Sequence, residues 1–208
     1  MARARLEQAI VDGNLKSIVP MNDLDTVVFG KDRKYSIATM DLNSCHAVAI
    51  ISTKAALLAH IAPGPPKEFN LALLPPAQQN EALTLGDRWI RHKIPEVTKR
   101  FDDEKIHFEN EGSVGIVVFG LLEGETALPD QLEYIAETIE KDIRVPVTTK
   151  SYHVLGAGSS RSPNKGFVLI EGFATGQPPI AWVEDDPISL LPVASSSTGS
   201  TTVASSSI

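Results

Sequence analysis

Apolar positions along this chain alternate or run continuously more often than they recur at helical spacing. Residues 26–29 and 34–40 are β-rich runs separated by Gly30-Lys31-Asp32-Arg33, which predicts a hairpin. Residues 45–52 are almost continuously apolar. Residues 55–61 follow after a short polar break, so the two predict a second hairpin. Residues 105–108 and 114–119 are strand candidates, and 146–154 with 165–171 read as a strand pair joined by the loop 155–164. Helical spacing marks two stretches. In 78–101, Leu83, Gly86, Trp89 and Ile90 share a face, and Pro95 is expected to kink or end the helix. In 130–143, Leu132, Ile135, Ala136, Ile139 and Ile143 form one stripe, with Pro129 just before it. Strands outnumber helices, which favours an α+β fold over a doubly wound parallel sheet.

The ends differ from the body. Residues 1–24 are expected to form a helical extension, and 25–175 the main domain. Residues 176–194 hold Pro178, Pro179, Pro187 and Pro192, so regular structure there should be short, with Ile180 and Trp182 docking on the core. Residues 195–208 are mostly Ser and Thr, the composition of a disordered tail. The opening residues 1–13 are polar, unlike a secretory leader, and no apolar run approaches the roughly 18 residues of a membrane span.

Composition narrows the function. The chain has 208 residues, 19 Lys and Arg against 26 Asp and Glu, and a net charge of -7. Nucleic acid and anionic membrane both reward a basic face, so neither is expected as a partner. The single cysteine, Cys45, excludes an internal disulfide and a multi-cysteine zinc site. The expected setting is cytoplasmic.

A lone cysteine is either a small core residue or a nucleophile, and a base within reach decides between them. The histidines are His46, His60, His92, His107 and His153. If 45–52 and 55–61 form a hairpin, a turn at Ser52-Thr53 places Cys45 directly opposite His60. A turn at Thr53-Lys54 makes them diagonal neighbours on one face, because side chains alternate with period two. His46 should point the other way. A thiol beside an imidazole suits acyl transfer from amides: the ring takes the thiol proton and later protonates the leaving amine. Backbone N–H groups of the turn Leu42-Asn43-Ser44-Cys45 could receive the oxyanion.

This stretch resembles the chemoreceptor glutamine deamidases of the CheD family, whose fold is similar to the catalytic domains of the cytotoxic necrotizing factors and Burkholderia lethal factor. Those proteins carry a Thr, a Cys in a Gly-Ser-Cys-type turn, and a His after a hairpin. Here Thr39 lies six residues before Cys45, and His60 fifteen after it. The arm Ala47-Val48-Ala49-Ile50, the segment Ala59-His60-Ile61-Ala62-Pro63, the opening Gly112-Ser113-Val114-Gly115 and the loop Gly156-Ala157-Gly158-Ser159-Ser160-Arg161 follow in the family's order. Asn43 stands where the family has Gly, and Asn tolerates a left-handed backbone. The resemblance implies a β-sandwich core of mixed and antiparallel sheets with helices packed outside. It implies Cys45 as nucleophile, His60 as general acid and base, Thr39 orienting the imidazole, and Asn43 and Ser44 shaping the turn. The expected activity is deamidation of glutamine side chains on a protein substrate, through a thioester and with no metal or organic cofactor. The alternative is a protein-binding module with the same fold and no turnover.

Overall fold

The computed structural model describes residues 3–30, 35–70, 72, 74, 76, 82–108, 112–154, 166–173, 177–184, 186–188 and 190. Among these residues the chain forms three α-helices and two mixed sheets. The first sheet orders β1 (Leu15–Val19), β3 (Ser36–Thr39), β9 (Val168–Glu171), β10 (Ile180–Val183) and β11 (Asp186–Ile188). The second orders β2 (Leu24–Val28), β5 (Ala55–Ile61), β4 (His46–Ile51), β6 (Val114–Leu122) and β7 (Glu125–Thr126), with β8 (Val147–His153) parallel to β6. The helices are α1 (Arg3–Val11), α2 (Leu85–Asp103) and α3 (Pro129–Ile143).

Three apolar clusters define the layers. Val19, Ile37, Val168 and Ile170 of the first sheet meet Ala47, Ala49, Leu58 and Val118 of the second. The opposite face of the second sheet packs Val48, Ile50, Leu57 and Ile61 against Ile90 and Ile94 of α2 and Ile135 and Ile139 of α3. Leu6 and Ala9 of α1 cover Ala38, Phe167 and Leu169 on the outside of the first sheet. The order is therefore α1, sheet, sheet, α2 with α3: an α+β sandwich. Every residue of β4 and β5 is buried, which explains why they are apolar apart from His46 and His60. Each such Ile, Leu or Val contributes about 1.5–3 kcal/mol of burial. Among the described residues no helix is long and apolar enough to cross a membrane.

Several expectations are corrected. The runs 26–29 and 34–40 do not form a hairpin: β2 joins the second sheet and β3 the first. All four residues of β3 are buried, so it needs cover on both faces and neighbours on both edges, which β1 and β9 supply. The connecting residues 31–34 lie outside the described ones. Likewise 146–154 and 165–171 are not paired. A crossover through α3 lays β8 parallel to β6, while β9 belongs to the other sheet. Residues 105–107 form a 3₁₀ turn that leaves Ile106 exposed and tucks Phe108 against Phe101, ring centroids 5.3 Å apart. Pro95 does not end α2, which continues to Asp103. It lies on the exposed face, where water can take the unpaired Arg91 carbonyl, while Ile94, Val97 and Phe101 hold the other side.

The expected extension 1–24 is part of the fold. After α1, the strand β1 pairs in parallel with β3, and the boundary at 24 would cut into β2. The proline-rich segment also supplies structure: β10 is an inner strand between β9 and β11. Pro178 and Pro179 precede β10 and Pro187 sits on the edge strand β11, places where a sheet tolerates proline, and Pro192 lies outside the described residues. The tail 195–208 and the loop 155–164 lie outside the described residues.

Candidate active site

The site grows from the β4–β5 hairpin. Its ladder runs from His46↔Ile61 and Ala47↔His60 to Ile51↔Ala56, and the Ser52 N–H donates to the Ala55 carbonyl at 2.9 Å. The turn is therefore Thr53-Lys54. Ser52 Oγ accepts from the N–H groups of Lys54 and Ala55, at 3.0 and 2.9 Å, and stabilises it. Continuing the register places Cys45 opposite Ala62, and so diagonal to His60. Diagonal neighbours sit about 7–8 Å apart at Cα, within reach of side-chain contact. Both face the space between the sheets, with Ala47, Ala49 and Leu58. His46 faces the helices instead.

Thr39, at the end of β3, reaches this space from the other sheet. Its Oγ1 lies 2.8 Å from His60 Nδ1 and also donates to the Val19 carbonyl at 2.8 Å. A hydroxyl has one proton, so with that proton on Val19 the hydroxyl accepts from Nδ1–H. This assigns the Nδ1–H tautomer and leaves Nε2 as the basic nitrogen. Nε2 is buried and has no partner among the described residues. The backbone around His60 is fixed as well: its N–H donates to Asp23, and its carbonyl accepts from Asn22 at 2.6 Å.

Cys45 is 5% exposed. Burial pushes its thiol up from the ordinary range, partly opposed by the Asn43 backbone N–H that points at the sulfur. Burial pushes His60 down to about 4, against the nearby Asp41 charge and the Val19 carbonyl. The resting pair is thus a thiol and a neutral imidazole, not an ion pair. The turn before Cys45 takes its left-handed residues at Asp41 (φ 62°) and Ser44 (φ 66°), not at Asn43. Gly166, at φ 65°, backs this turn: its carbonyl accepts from the Leu42 N–H at 2.8 Å. A Cβ there would collide with the Leu42 carbonyl.

Two further residues hold the site and escaped the sequence reading. Tyr152 is buried and its hydroxyl donates to the Cys45 carbonyl at 2.8 Å. Burial first, and the nearby cysteine second, push its phenol up, so it stays a donor. Nothing in the sequence near Tyr152 signals this, because the contact spans 107 residues. Gln131 accepts from His46 through Oε1 at 3.1 Å. Its signal was available: residues 131, 135, 139 and 143 share one stripe, and a glutamine begins an otherwise apolar row. Among the described residues no cluster of three His, Cys, Asp or Glu could hold a metal. Chemically the arrangement offers a nucleophile, an oriented base and a backbone donor at the sulfur. No protein-family model matches the chain, and no curated protein sequence matches it.

Proposed function

We propose that the chain is a cysteine amidohydrolase of the CheD-like type, a protein-glutamine deamidase. One observation carries the reading: His60 is held by Thr39 in the tautomer that leaves Nε2 free, on the sheet face it shares with Cys45. The two-sheet core with both residues on one hairpin supports the family resemblance in fold.

In the proposed cycle Cys45 Sγ attacks the carboxamide carbon, and its proton passes to His60 Nε2. The oxyanion receives N–H groups of the 42–45 turn, Asn43 among them. Nε2–H then protonates the leaving nitrogen, ammonia departs, and a Cys45 thioester remains. Nε2 deprotonates a water that attacks the thioester. The product is a glutamate side chain, and the thiol regains its proton. Because both groups are neutral at rest, proton transfer belongs to the attack step and needs no standing thiolate.

The test incubates the protein with glutamine-bearing proteins, measures ammonia, and locates Gln-to-Glu conversion by mass spectrometry. Cys45→Ala should abolish release and His60→Ala should lower it by about 10²–10⁴-fold. The burial and raised pKa of Cys45 favour the competing reading, a protein-binding module without turnover. That reading requires no thioester on Cys45 with any glutamine protein and unchanged partner binding in Cys45→Ala.

A further inference from the structure

The last rung of the β4–β5 ladder is His46↔Ile61, and Cys45 lies just beyond it. Past this rung, no ladder bond fixes how far the two arms spread. Laterally both groups are anchored, Cys45 by Tyr152 and His60 by Thr39. Among the described residues, the buried Gln131 amide of α3 bonds both arms, while Asn22 Oδ1 holds the Ala62 N–H on the β5 arm. Gln131 Nε2 donates to the Pro63 carbonyl at 3.1 Å, and more weakly towards Asp87 at 3.5 Å. With two acceptors facing Nε2, Oε1 faces His46, whose Nε2 is therefore the protonated nitrogen. His46 directly follows the nucleophile, and Pro63 lies three residues after the base.

The space around this amide is tailored. Gly86, in the first turn of α2, lies so close that a Cβ would stand 2.6 Å from the Pro63 oxygen and 2.7 Å from Gln131 Nε2. The reciprocal cap between Thr84 and Asp87 fixes that turn. A leucine would fill the stripe of α3 more cheaply, since a buried amide is tolerated only when hydrogen-bonded.

We propose that Gln131 and His46 are positioning residues, a clamp that sets the separation of Cys45 from His60 Nε2. The inference rests on reading those two as the reacting pair. Releasing the clamp lets the arms splay, lengthens the proton-transfer path and admits water to the imidazole.

The test follows His60 by ¹⁵N-histidine NMR in the intact chain, alongside iodoacetamide labelling of Cys45. Gln131→Met keeps the volume and removes both bonds. Gly86→Ala wedges the same amide without removing a polar group, so it carries the test if Gln131→Met does not fold. Each should raise the His60 titration midpoint by at least one pH unit towards its ordinary value, and raise the labelling rate at least tenfold. His46→Gln, which keeps a donor towards Gln131, should hold wild-type values. Leu132→Ala on the same helix supplies an equal loss of melting temperature with neither effect. Clamp variants that match Leu132→Ala in both readouts overturn the proposal. If the deamidase reading also holds, the clamp variants lose kcat at unchanged KM. A shifted titration in a protein that releases no ammonia sinks that reading and leaves the clamp standing.

Discussion

His60 carries a pH dependence that can be worked out from its surroundings. Its folded pKa of about 4 lies below the ordinary 6.5, so the unfolded chain takes up the proton first as pH falls. The stability due to the neutral ring is complete above about pH 6.5 and is lost between there and about pH 4. The loss is about 3 kcal/mol. His46, also pushed down by burial, acts in the same direction. Asp25 acts in the same direction at lower pH, for a different reason. Burial alone would raise it, but Ser17, the Thr26 N–H and Lys16 outweigh burial and hold it low. Its contribution is present above the ordinary carboxylate range and disappears only as pH falls below it. Urea unfolding from pH 7 to 3 should show both windows, and His60→Gln should flatten the upper one. Thr39→Val leaves His60 Nδ1 and the Val19 carbonyl without their partner, at a cost of about 1–3 kcal/mol. Thr39→Ser should restore most of that in the same unfolding assay. At this scale the sequence was informative because Thr39, Cys45 and His60 are close along the chain. Tyr152 was not legible as a site residue, and Gln131 was marked only as a polar residue in an apolar stripe, since what each touches is decided by tertiary packing.

Among the elements, α2 contains a proline that the fold tolerates at a cost. Pro95 removes one helical bond on an exposed face, so Pro95→Ala should raise stability by about 1–3 kcal/mol, read as a higher melting temperature. Gly166→Ala should do the reverse. It strains a left-handed residue and drives a methyl into the Leu42 carbonyl, displacing the turn that ends in Cys45. The expected result is a lower melting temperature together with faster labelling of Cys45. Strands and helices of strong pattern were readable: the hairpin arms 45–52 and 55–61 correspond to β4 and β5, and the stripe in 130–143 to α3. Partnership was not. β2 and β3, and β8 and β9, are consecutive in sequence and lie in different sheets, because a sandwich lets the chain change sheets between strands. Local turn residues such as Gly30 say that the chain bends, not which sheet it bends into.

For the whole molecule, the clearest consequence concerns the N-terminal residues. Removing 1–13 strips α1 from the first sheet and exposes Ala38, Phe167 and Leu169, so a dye that binds apolar surface should fluoresce strongly and melting should occur lower. Removing 1–24 also deletes β1 and the start of β2, and should abolish cooperative unfolding by circular dichroism. The expectation of an extension over 1–24 follows the family resemblance, which has no counterpart there, and the weak patterning of α1 and the five residues of β1 offer little in the sequence to oppose it. The hairpin that carries Cys45 and His60 is, by contrast, local. A short hairpin closes in about 1–10 μs once its residues are free to move. The Tyr152 hydroxyl that shields the cysteine from behind is 107 residues further along the chain. At a synthesis rate of about 5–20 residues per second, it is made roughly 5–20 s later. During translation the thiol and the imidazole are therefore neighbours well before they are covered. Newborn chains pass through a window in which Cys45 is more open to oxidants and electrophiles than in the finished protein, where it is 5% exposed.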